Sequence, residues 1–454
     1  MSASRLTSLD ASFLEAESAT AHMHVGWAAV FSPPAEGPPP SFEELRDHVE
    51  SRLGRAPRYR QKLVSVPFGL TDPIWVDDSD FDISRHVRRA TPARWSDTVD
   101  AAMSSPLVHG RPLWEVWIAD GLDDGRIGLV GKVHHCMVDG LAAVELAALL
   151  LDPTPEPVQT EPDSWRARQA PDGIGLLLGG VVERLRRVAE LGRLPVRLAQ
   201  HPRRLFGLAG GGLQTARAVR RSLEAATPDS GFNGPSSAGR HLASAQRPLA
   251  DLKRIKGRFQ TTINDVVLAV AAGGLRSFLI QQNQLPVKLK AMVPVSVRQD
   301  GNGRELGNQI SFIYIDLPCD EPDPVRRLQA IAMAMGTRKR GGEPQGADNM
   351  LGALSYAPRP IQHAITRMVA SPRAFNLVVS NIPGPQQPLY ILGCELAEVF
   401  PIVPLSDQHA VSIAMTTIND RAYFGIHADT QSLPNANLLS TAIDESIEEL
   451  FTLS

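Results

Sequence analysis

Two adjacent histidines followed by an aspartate and a glycine are the residues of this chain best suited to chemistry. They are His134, His135, Asp139 and Gly140, and they come directly after the apolar run 127–130. A histidine at the end of a strand, with a carboxylate four residues on to fix its tautomer, suits a base that takes a proton from a hydroxyl group. Gly140 gives the backbone freedom where the strand ends. The spacing therefore predicts general-base chemistry here.

Three other interpretations of this motif are less favourable. Cys136 beside His135 would suit nucleophilic catalysis, but adjacent residues on an extended chain point to opposite faces. A metal site from the histidines and Asp139 is disfavoured, because neighbouring histidines rarely converge on one ion and no further ligand cluster is evident. In the simplest interpretation, one histidine is a satisfied core residue and Asp139 caps the helix that begins at Leu141.

Length and composition indicate a folded protein with two domains. The chain has 454 residues, of which 43% are hydrophobic and 21% charged, and one core usually serves only roughly 250 to 300 residues. A formal net charge of −3 provides no basic field for nucleic acid. Three widely spaced cysteines and an N-terminus without a signal-type apolar core predict a cytoplasmic protein that is neither exported nor membrane-spanning.

The elements that must position the histidines form a β-hairpin. Its second strand leads into His134, and an apolar run at 141–151 predicts a buried helix after it. A capping box, Ser41 with Glu44, predicts a helix that ends near Leu53. A long apolar helix is predicted at 262–276, capped near Asn264 or Asp265. Strands are predicted at 24–31, 113–118, 127–133, 289–298, 310–317, 376–380, 410–418 and 423–428, which favours a mixed α/β fold.

The segment 181–221 differs in composition from the rest of the chain. It holds ten arginines and two glutamates, a local formal charge of ten minus two, or +8, with apolar residues between them. A basic amphipathic helix of this kind can lie at the surface of an anionic membrane. A solvated helical crossover between domains is the alternative, and both stay open.

The motif at 134–140 resembles the HHxxxDG motif of acyl-CoA-dependent acyltransferases related to chloramphenicol acetyltransferase and to peptide-synthetase condensation domains. Other parts of the chain look like the blocks of bacterial wax ester synthase/diacylglycerol acyltransferases, in the family's order. These blocks are residues 8–15, 23–26, 111–114, 263–269, 292–298, 307–309 and 380–385. The resemblance covers nearly the whole chain.

The resemblance implies two chloramphenicol-acetyltransferase-like α/β domains with an active-site tunnel at their interface. The predicted boundaries are 1–172 for the N-terminal domain with the motif, 173–231 for a basic amphipathic helical linker, and 232–454 for the C-terminal domain. It also implies that acyl-CoA is a co-substrate and that no cofactor or metal is needed. The implied acceptor is a long-chain alcohol or diacylglycerol, with diacylglycerol expected.

The resemblance assigns roles to individual residues of the motif. It implies that His135 is the general base and that His134 stabilises the site by packing or hydrogen bonding. It implies that Asp139 points away from the substrate and pairs with an arginine, for which Arg298 is the candidate. Cys136 stands where many members of the family carry alanine, and we expect it to pack as a small hydrophobic residue.

Residues outside the motif are also candidates. Asn264 is expected to donate to the oxyanion, with a helix N-cap as its alternative role. Glu15 is expected to line the site, and a surface position is equally compatible with its sequence context. Asn381 and Gly384 are expected to shape the backbone around the tunnel.

Two other functions fit the same motif. One is a condensation-type enzyme that takes acyl groups from a carrier protein, and the other is a catalytically silent lipid-binding homologue. The expected partners are acyl-CoA, the acceptor, and an anionic membrane or lipid-droplet surface, with no nucleic acid. The expected location is the cytoplasm, with peripheral contact at the inner membrane face or at lipid inclusions.

Overall fold

The structure is a computed structural model. It describes residues 5–67, 71–90, 94–137, 149–158, 165–171, 175, 182, 230–296, 310–340, 367, 368, 370–385 and 387–454. Asp139, Gly140 and Arg298 lie outside the described residues, as does the arginine-rich segment 181–221 apart from residue 182. Of the helix predicted at 141–151, residues 149–151 are described; residues 149 and 150 are helical and residue 151 is not.

A six-stranded sheet, sheet 1, carries the paired histidines. In spatial order its strands are β11 (Tyr390–Ile391), β12 (Cys394–Ile402), β1 (His24–Phe31), β6 (Ile127–His134), β5 (Trp114–Asp120) and β4 (Val87–Arg89). β5 and β6 pair in antiparallel fashion, which confirms the predicted hairpin. A tight turn lies between them, where Asp124 has a φ of 61°. A separate two-stranded sheet joins β2 (Gln61–Val64) and β3 (Ile74–Asp77).

A second six-stranded sheet, sheet 2, is built from the later part of the chain. In spatial order its strands are β7 (Arg240–Pro248), β14 (Arg421–Asp429), β13 (Val411–Ile418), β10 (Leu377–Ile382), β8 (Leu289–Ser296) and β9 (Ile310–Leu317). β10 runs parallel to β8 and β13, and the other pairs are antiparallel. All the strands predicted for this half are present, with ends shifted by one or two residues.

Sheet 1 is completed by strands from late in the chain. β12 pairs with β1 although more than 360 residues separate them along the chain. The sequence-based division assigns β11 and β12 to the part after residue 231, whereas hydrogen bonding places them in sheet 1. β12 also packs against β14 of sheet 2, where a Cβ atom at Gly425 would overlap the carbonyl of Pro401. The two halves therefore meet closely at this point.

Seven α-helices are described. They are α1 (Ser8–Ala16), α2 (Phe42–Arg52), α3 (Trp95–Ser104), α4 (Leu249–Phe259), α5 (Ile263–Gln281), α6 (Pro324–Arg340) and α7 (Ala436–Thr452). The capping box of Ser41 and Glu44 is confirmed. α5 begins at Ile263, two residues earlier than a cap at Asn264 would allow. Thr262 is its N-cap and forms a capping box with Asp265, so the prediction of Asn264 or Asp265 as the cap is wrong.

The core of sheet 2 contains most of α5, which is apolar on nearly every side. Within the described residues α5 alone is long and apolar enough to cross a membrane, and 72% of its most apolar window is buried inside the protein. A core helix has the same length and composition. Sheet 1 has its own core, which includes Trp27, Trp114 and Cys136.

Candidate active site

Both histidines lie at the end of β6, where hydrogen bonds to residues on either side hold their backbone. β6 is buried along its whole length between β1 and β5. A turn of 3-10 helix, His135–Met137, follows directly. The amide of His134 donates to the carbonyl of Leu113 at 2.9 Å, and the amide of His135 donates to the carbonyl of Met23 at 3.0 Å. Because the backbone amides of both residues are hydrogen-bonded, the two rings have fixed positions.

His134 is fully buried, and its hydrogen bonds fix its tautomer. Its Nδ1 accepts a hydrogen bond from the amide of Cys136 at 3.1 Å. A nitrogen that accepts from an N–H carries no proton, so the neutral ring is protonated at Nε2. Burial, the largest cause, lowers the pKa of His134 to about 4. The ring is therefore neutral at pH 7 and stabilises the turn that carries His135.

His135 has the surroundings of an uncharged base. Its ring stacks on the ring of Phe13, with centroids 3.7 Å apart and planes 17° apart. Its Nδ1 is buried and has no hydrogen-bond partner among the described residues, whereas the residue as a whole is partly exposed. Burial lowers the pKa of His135 to about 4. At neutral pH the imidazole is thus already in the unprotonated form that can accept a proton.

Cys136 is a core residue and is not a nucleophile. It is 2% exposed and belongs to the core of sheet 1, which confirms the prediction that it packs as a hydrophobic side chain. Burial raises the pKa of its thiol far above the usual range. Since the thiolate is the reactive form, a thiol that does not ionise cannot attack a thioester at neutral pH.

A carboxylate that the sequence analysis missed lies beside His134. Glu17 follows the end of α1, and its Oε2 is 3.7 Å from Nε2 of His134 and 2.8 Å from Nε2 of His109. The hydrogen bond that His109 donates to Glu17 raises the pKa of His109. Glu15, the predicted residue, makes no ion pair with either motif histidine. Position in the sequence does not reveal which of these two glutamates turns toward β6.

The other predicted site residues make no hydrogen bond with the two histidines in the described part of the chain, or lie outside the described residues. Asn264 is in the first turn of α5 and is partly exposed. Asn381 is in β10, paired with Met415. Gly384 follows β10, where a Cβ atom would overlap the carbonyl of Thr417, so its backbone packs closely against β13. Within the described residues no three His, Cys, Asp or Glu side chains converge as metal ligands.

Family models match most of the chain. Residues 6–267 match the wax ester synthase/diacylglycerol acyltransferase catalytic domain, and residues 306–451 match the WS/DGAT C-terminal domain. Two Mycobacterium tuberculosis proteins are 32% identical to the chain. The probable diacylglycerol O-acyltransferase tgs1 matches with 99% of this chain and 96% of its own length covered. The probable diacylglycerol O-acyltransferase tgs2 matches with 97% of each covered.

Solved structures share the fold. The wax ester synthase/diacylglycerol acyltransferase from Marinobacter aquaeolei VT8 superposes with a TM-score of 0.70 at 26% identity, covering 98% of each chain. The first condensation domain of the calcium-dependent antibiotic synthetase has a TM-score of 0.60 at 15% identity, covering 100% of this chain and 96% of that one. The two-domain α/β fold predicted from the sequence is therefore confirmed.

Proposed function

Because this chain belongs to the wax ester synthase/diacylglycerol acyltransferase family, we propose that it transfers a long-chain acyl group from acyl-CoA to the hydroxyl group of diacylglycerol, giving triacylglycerol and free CoA. A long-chain alcohol is the second acceptor class, giving a wax ester by the same chemistry. The observation that carries the proposal is the neutral, partly exposed ring of His135, held at the end of β6.

In the proposed reaction His135 is the general base. It takes the proton of the acceptor hydroxyl as the oxygen attacks the thioester carbonyl, and a tetrahedral oxyanion forms. The C–S bond then breaks, the CoA thiolate takes the proton back from His135, and the ester and free CoA leave. Negative charge develops beside the ring during the attack, and it favours the protonated imidazole at the moment when the proton arrives.

Other described residues hold the base in position. Phe13 supports one face of the His135 ring, and the Cys136 amide ties the turn to His134. Glu17 faces the protonated nitrogen of His134. No covalent acyl-enzyme is needed, because holding the two substrates together lowers much of the barrier by proximity. The reaction consumes acyl-CoA as a co-substrate and requires no cofactor or metal.

The remaining predicted residues have proposed roles as well. Asn264 is the candidate donor to the oxyanion, and Asp139 is proposed to shape the loop after the histidines by pairing with Arg298. We place the substrates in a tunnel between the two halves of the molecule, since interfaces between domains are common places for ligand pockets.

Acceptor-dependent release of CoA tests the proposed function. Purified protein is incubated with palmitoyl-CoA and either diacylglycerol or hexadecanol, beside the His135→Ala variant. We expect release with diacylglycerol that disappears in the variant. Activity only with an acyl carrier protein would support the condensation-type alternative. Binding of acyl-CoA by a folded protein that releases no CoA would support a silent homologue.

We also propose that the protein is cytoplasmic, does not bind nucleic acid, and associates with an anionic membrane or lipid-droplet surface through segment 181–221. Its +8 charge supports this, since each basic residue near such a surface contributes about 1 kcal/mol.

Changing four arginines of segment 181–221 to glutamine is expected to weaken binding to phosphatidylglycerol vesicles by about 100-fold or more. The control changes four exposed arginines of the described residues, namely Arg85, Arg89, Arg94 and Arg326. Equal binding by both variants would contradict the proposal.

A further inference from the structure

A group of charged residues near the paired histidines has an unbalanced charge. Glu115 on β5 is buried and lies opposite Lys132 on β6, two residues before His134. Its carboxylate is 3.2 Å from Nζ of Lys132, 3.2 Å from a guanidinium nitrogen of Arg111 and 3.6 Å from one of Arg88. One negative charge thus faces three positive charges, an excess of three minus one, or +2.

The buried lysine alone is enough to neutralise the glutamate. Lys132 is fully buried, and its ammonium group also donates to the carbonyls of Ala102 and Ser105 at 2.7 and 2.8 Å. It therefore caps the C-terminal end of α3 as well as pairing with Glu115. Burial is the main cause that lowers the pKa of Lys132 to about 8, and the two nearby arginines lower it further. The lowering by the two arginines agrees with an excess of positive charge around Glu115.

The excess charge is carried by two arginines that reach solvent. The side chain of Arg88 is 46% exposed and that of Arg111 is 23% exposed. Apart from Glu115, no carboxylate of the described residues lies within 4 Å of either guanidinium group. Arg88 also lies over the indole ring of Trp117, 4.5 Å from its centroid, and this contact restricts its orientation on the edge strand β4.

The two arginines are connected to the active site through the chain and through contacts. Arg111 follows His109 by two residues, and His109 is hydrogen-bonded to Glu17, the carboxylate beside His134. Arg88 is on the second strand away from β6, paired with Trp117. Strand spacing puts Arg88, on the second strand from β6, about 10 to 20 Å from the histidines, and the guanidinium group of Arg111 meets that of Arg88 at Glu115. A thioester substrate that reacts at His135 has to place its charged end at a distance of this order.

We propose that Arg88 and Arg111 bind a phosphate group at the nucleotide end of the acyl-CoA co-substrate. The inference rests on the proposed function, since it assumes that the thioester lies at His135. The planar donor fork of arginine matches the oxygens of a phosphate, and a phosphate supplies the negative charge that the cluster lacks. The phosphate of an anionic lipid headgroup has the same chemistry, so the experiment separates the two sources.

The test compares two acyl donors in the double variant Arg88→Gln/Arg111→Gln. Palmitoyl-CoA carries the phosphates, whereas S-palmitoyl-pantetheine has the same thioester and no phosphate. We expect the KM for palmitoyl-CoA to rise about tenfold or more, the effect of losing a charge-assisted hydrogen bond. The KM for palmitoyl-pantetheine is expected to stay the same. Lys132 still pairs with Glu115 in this variant, so the melting temperature is expected to change little.

The neighbouring arginine provides a matched control. Arg89 is on the same strand with its side chain on the opposite face, where it is 57% exposed and pairs with Asp120. Arg89→Gln removes the same charge and is expected to leave both KM values unchanged. Raised KM values for both donors in the double variant would show a general distortion and overturn the proposal. An unchanged KM for palmitoyl-CoA would also overturn it.

Two further measurements distinguish the two sources of phosphate. They also distinguish failure of the proposed function from failure of the phosphate subsite. Weaker binding of the double variant to phosphatidylglycerol vesicles, with an unchanged KM for palmitoyl-CoA, would assign the arginines to a lipid headgroup and overturn the proposal. Calorimetric titration with CoA itself needs no turnover. If the wild type catalyses no transfer yet binds CoA about tenfold more tightly than the double variant, the proposed function fails and the phosphate subsite stands.

Discussion

Two sets of histidines in this protein share the same electrostatics, and only His135, in the first set, is partly exposed. His134 and His135 lie at the end of β6, while His22, His24 and His427 lie where sheet 1 meets sheet 2. Burial is the main cause that lowers the pKa of all five. All five rings are therefore neutral at pH 7. A lowered pKa alone does not identify a catalytic base.

Exposure separates His135 from the other four histidines. The three histidines between the sheets are at most 5% exposed and His134 is fully buried, and each of the five rings has one buried nitrogen without a hydrogen-bond partner among the described residues. The nearby charge of Arg240 lowers the pKa of His22 and His427 further. His135 is instead partly exposed and stacked on Phe13. Partial exposure, rather than proton affinity, distinguishes the proposed base from the other histidines.

The largest effect is expected at His135. His135→Ala should lower kcat by about 10³-fold or more, at the upper part of the range for general-base catalysis, and leave the urea midpoint nearly unchanged. In the wild type, kcat/KM should stay level from pH 8 to pH 6, because the pKa of His135 is about 4 and the base is already unprotonated. A His427→Gln variant that loses as much activity as His135→Ala would contradict the distinction between the partly exposed His135 and the buried His427.

The carboxylate beside His134 should have the next largest effect. Glu17→Gln removes the charge that faces Nε2 of His134, and a slightly displaced base lowers kcat by about 10-fold to 100-fold. KM should change little. The pKa of His109, which the Glu17 hydrogen bond raises, should fall in the same variant and can be followed by NMR. Glu15→Gln is the control, and a greater loss of activity in that variant would restore Glu15 as the functional residue.

The histidines between the sheets should control stability in acid. Native His427 has a pKa of about 3, so below pH 6.5 the unfolded chain binds a proton that the native chain does not, and the free energy of unfolding decreases as the pH falls. One such group contributes a slope of up to about 1.4 kcal/mol per pH unit. His427→Gln should therefore lose stability less steeply than the wild type between pH 6.5 and pH 4, measured by urea unfolding.

His241 provides the control of opposite sign. Burial opposes its charged form, yet hydrogen bonds to Asp100 and Asn437 raise its pKa. Its contribution to stability is complete below pH 6.5 and is lost as the pH rises, so His241→Gln should lose stability at pH 6 relative to pH 8. If both variants showed the same pH dependence, the assignment of His427 would be wrong.

Cys136→Ala should have the smallest effect. Removal of a small buried side chain is expected to cost about 1 kcal/mol of stability, with kcat within about twofold of the wild type, since the thiol does not ionise and takes no part in the proposed chemistry. Loss of activity in a folded Cys136→Ala protein would contradict this expectation. The thiol would then be a candidate nucleophile that forms a covalent acyl-enzyme.

Features that depend on neighbouring residues in the chain could be predicted. The capping box of Ser41 and Glu44, the strand at 24–31 and the hairpin that ends at His134 all follow from local patterns, and the structure contains them. The cap of α5 is Thr262, two residues before Asn264. Thr262, Asn264 and Asp265 are all residue types that can cap a helix, and only the hydrogen bonds show which one does.

The sequence by itself predicted the proposed chemistry and identified the family, since the types and spacing of His134 and His135 suit a base and the order of the blocks is that of the family. The tertiary structure decided which residues and strands contact one another. It brought Glu17 rather than Glu15 to His134, placed β12 beside β1, and gathered Arg88 and Arg111 around Glu115. Each of these contacts joins elements that are distant along the chain, and the distance between two side chains depends on how those elements pack, which no local pattern encodes.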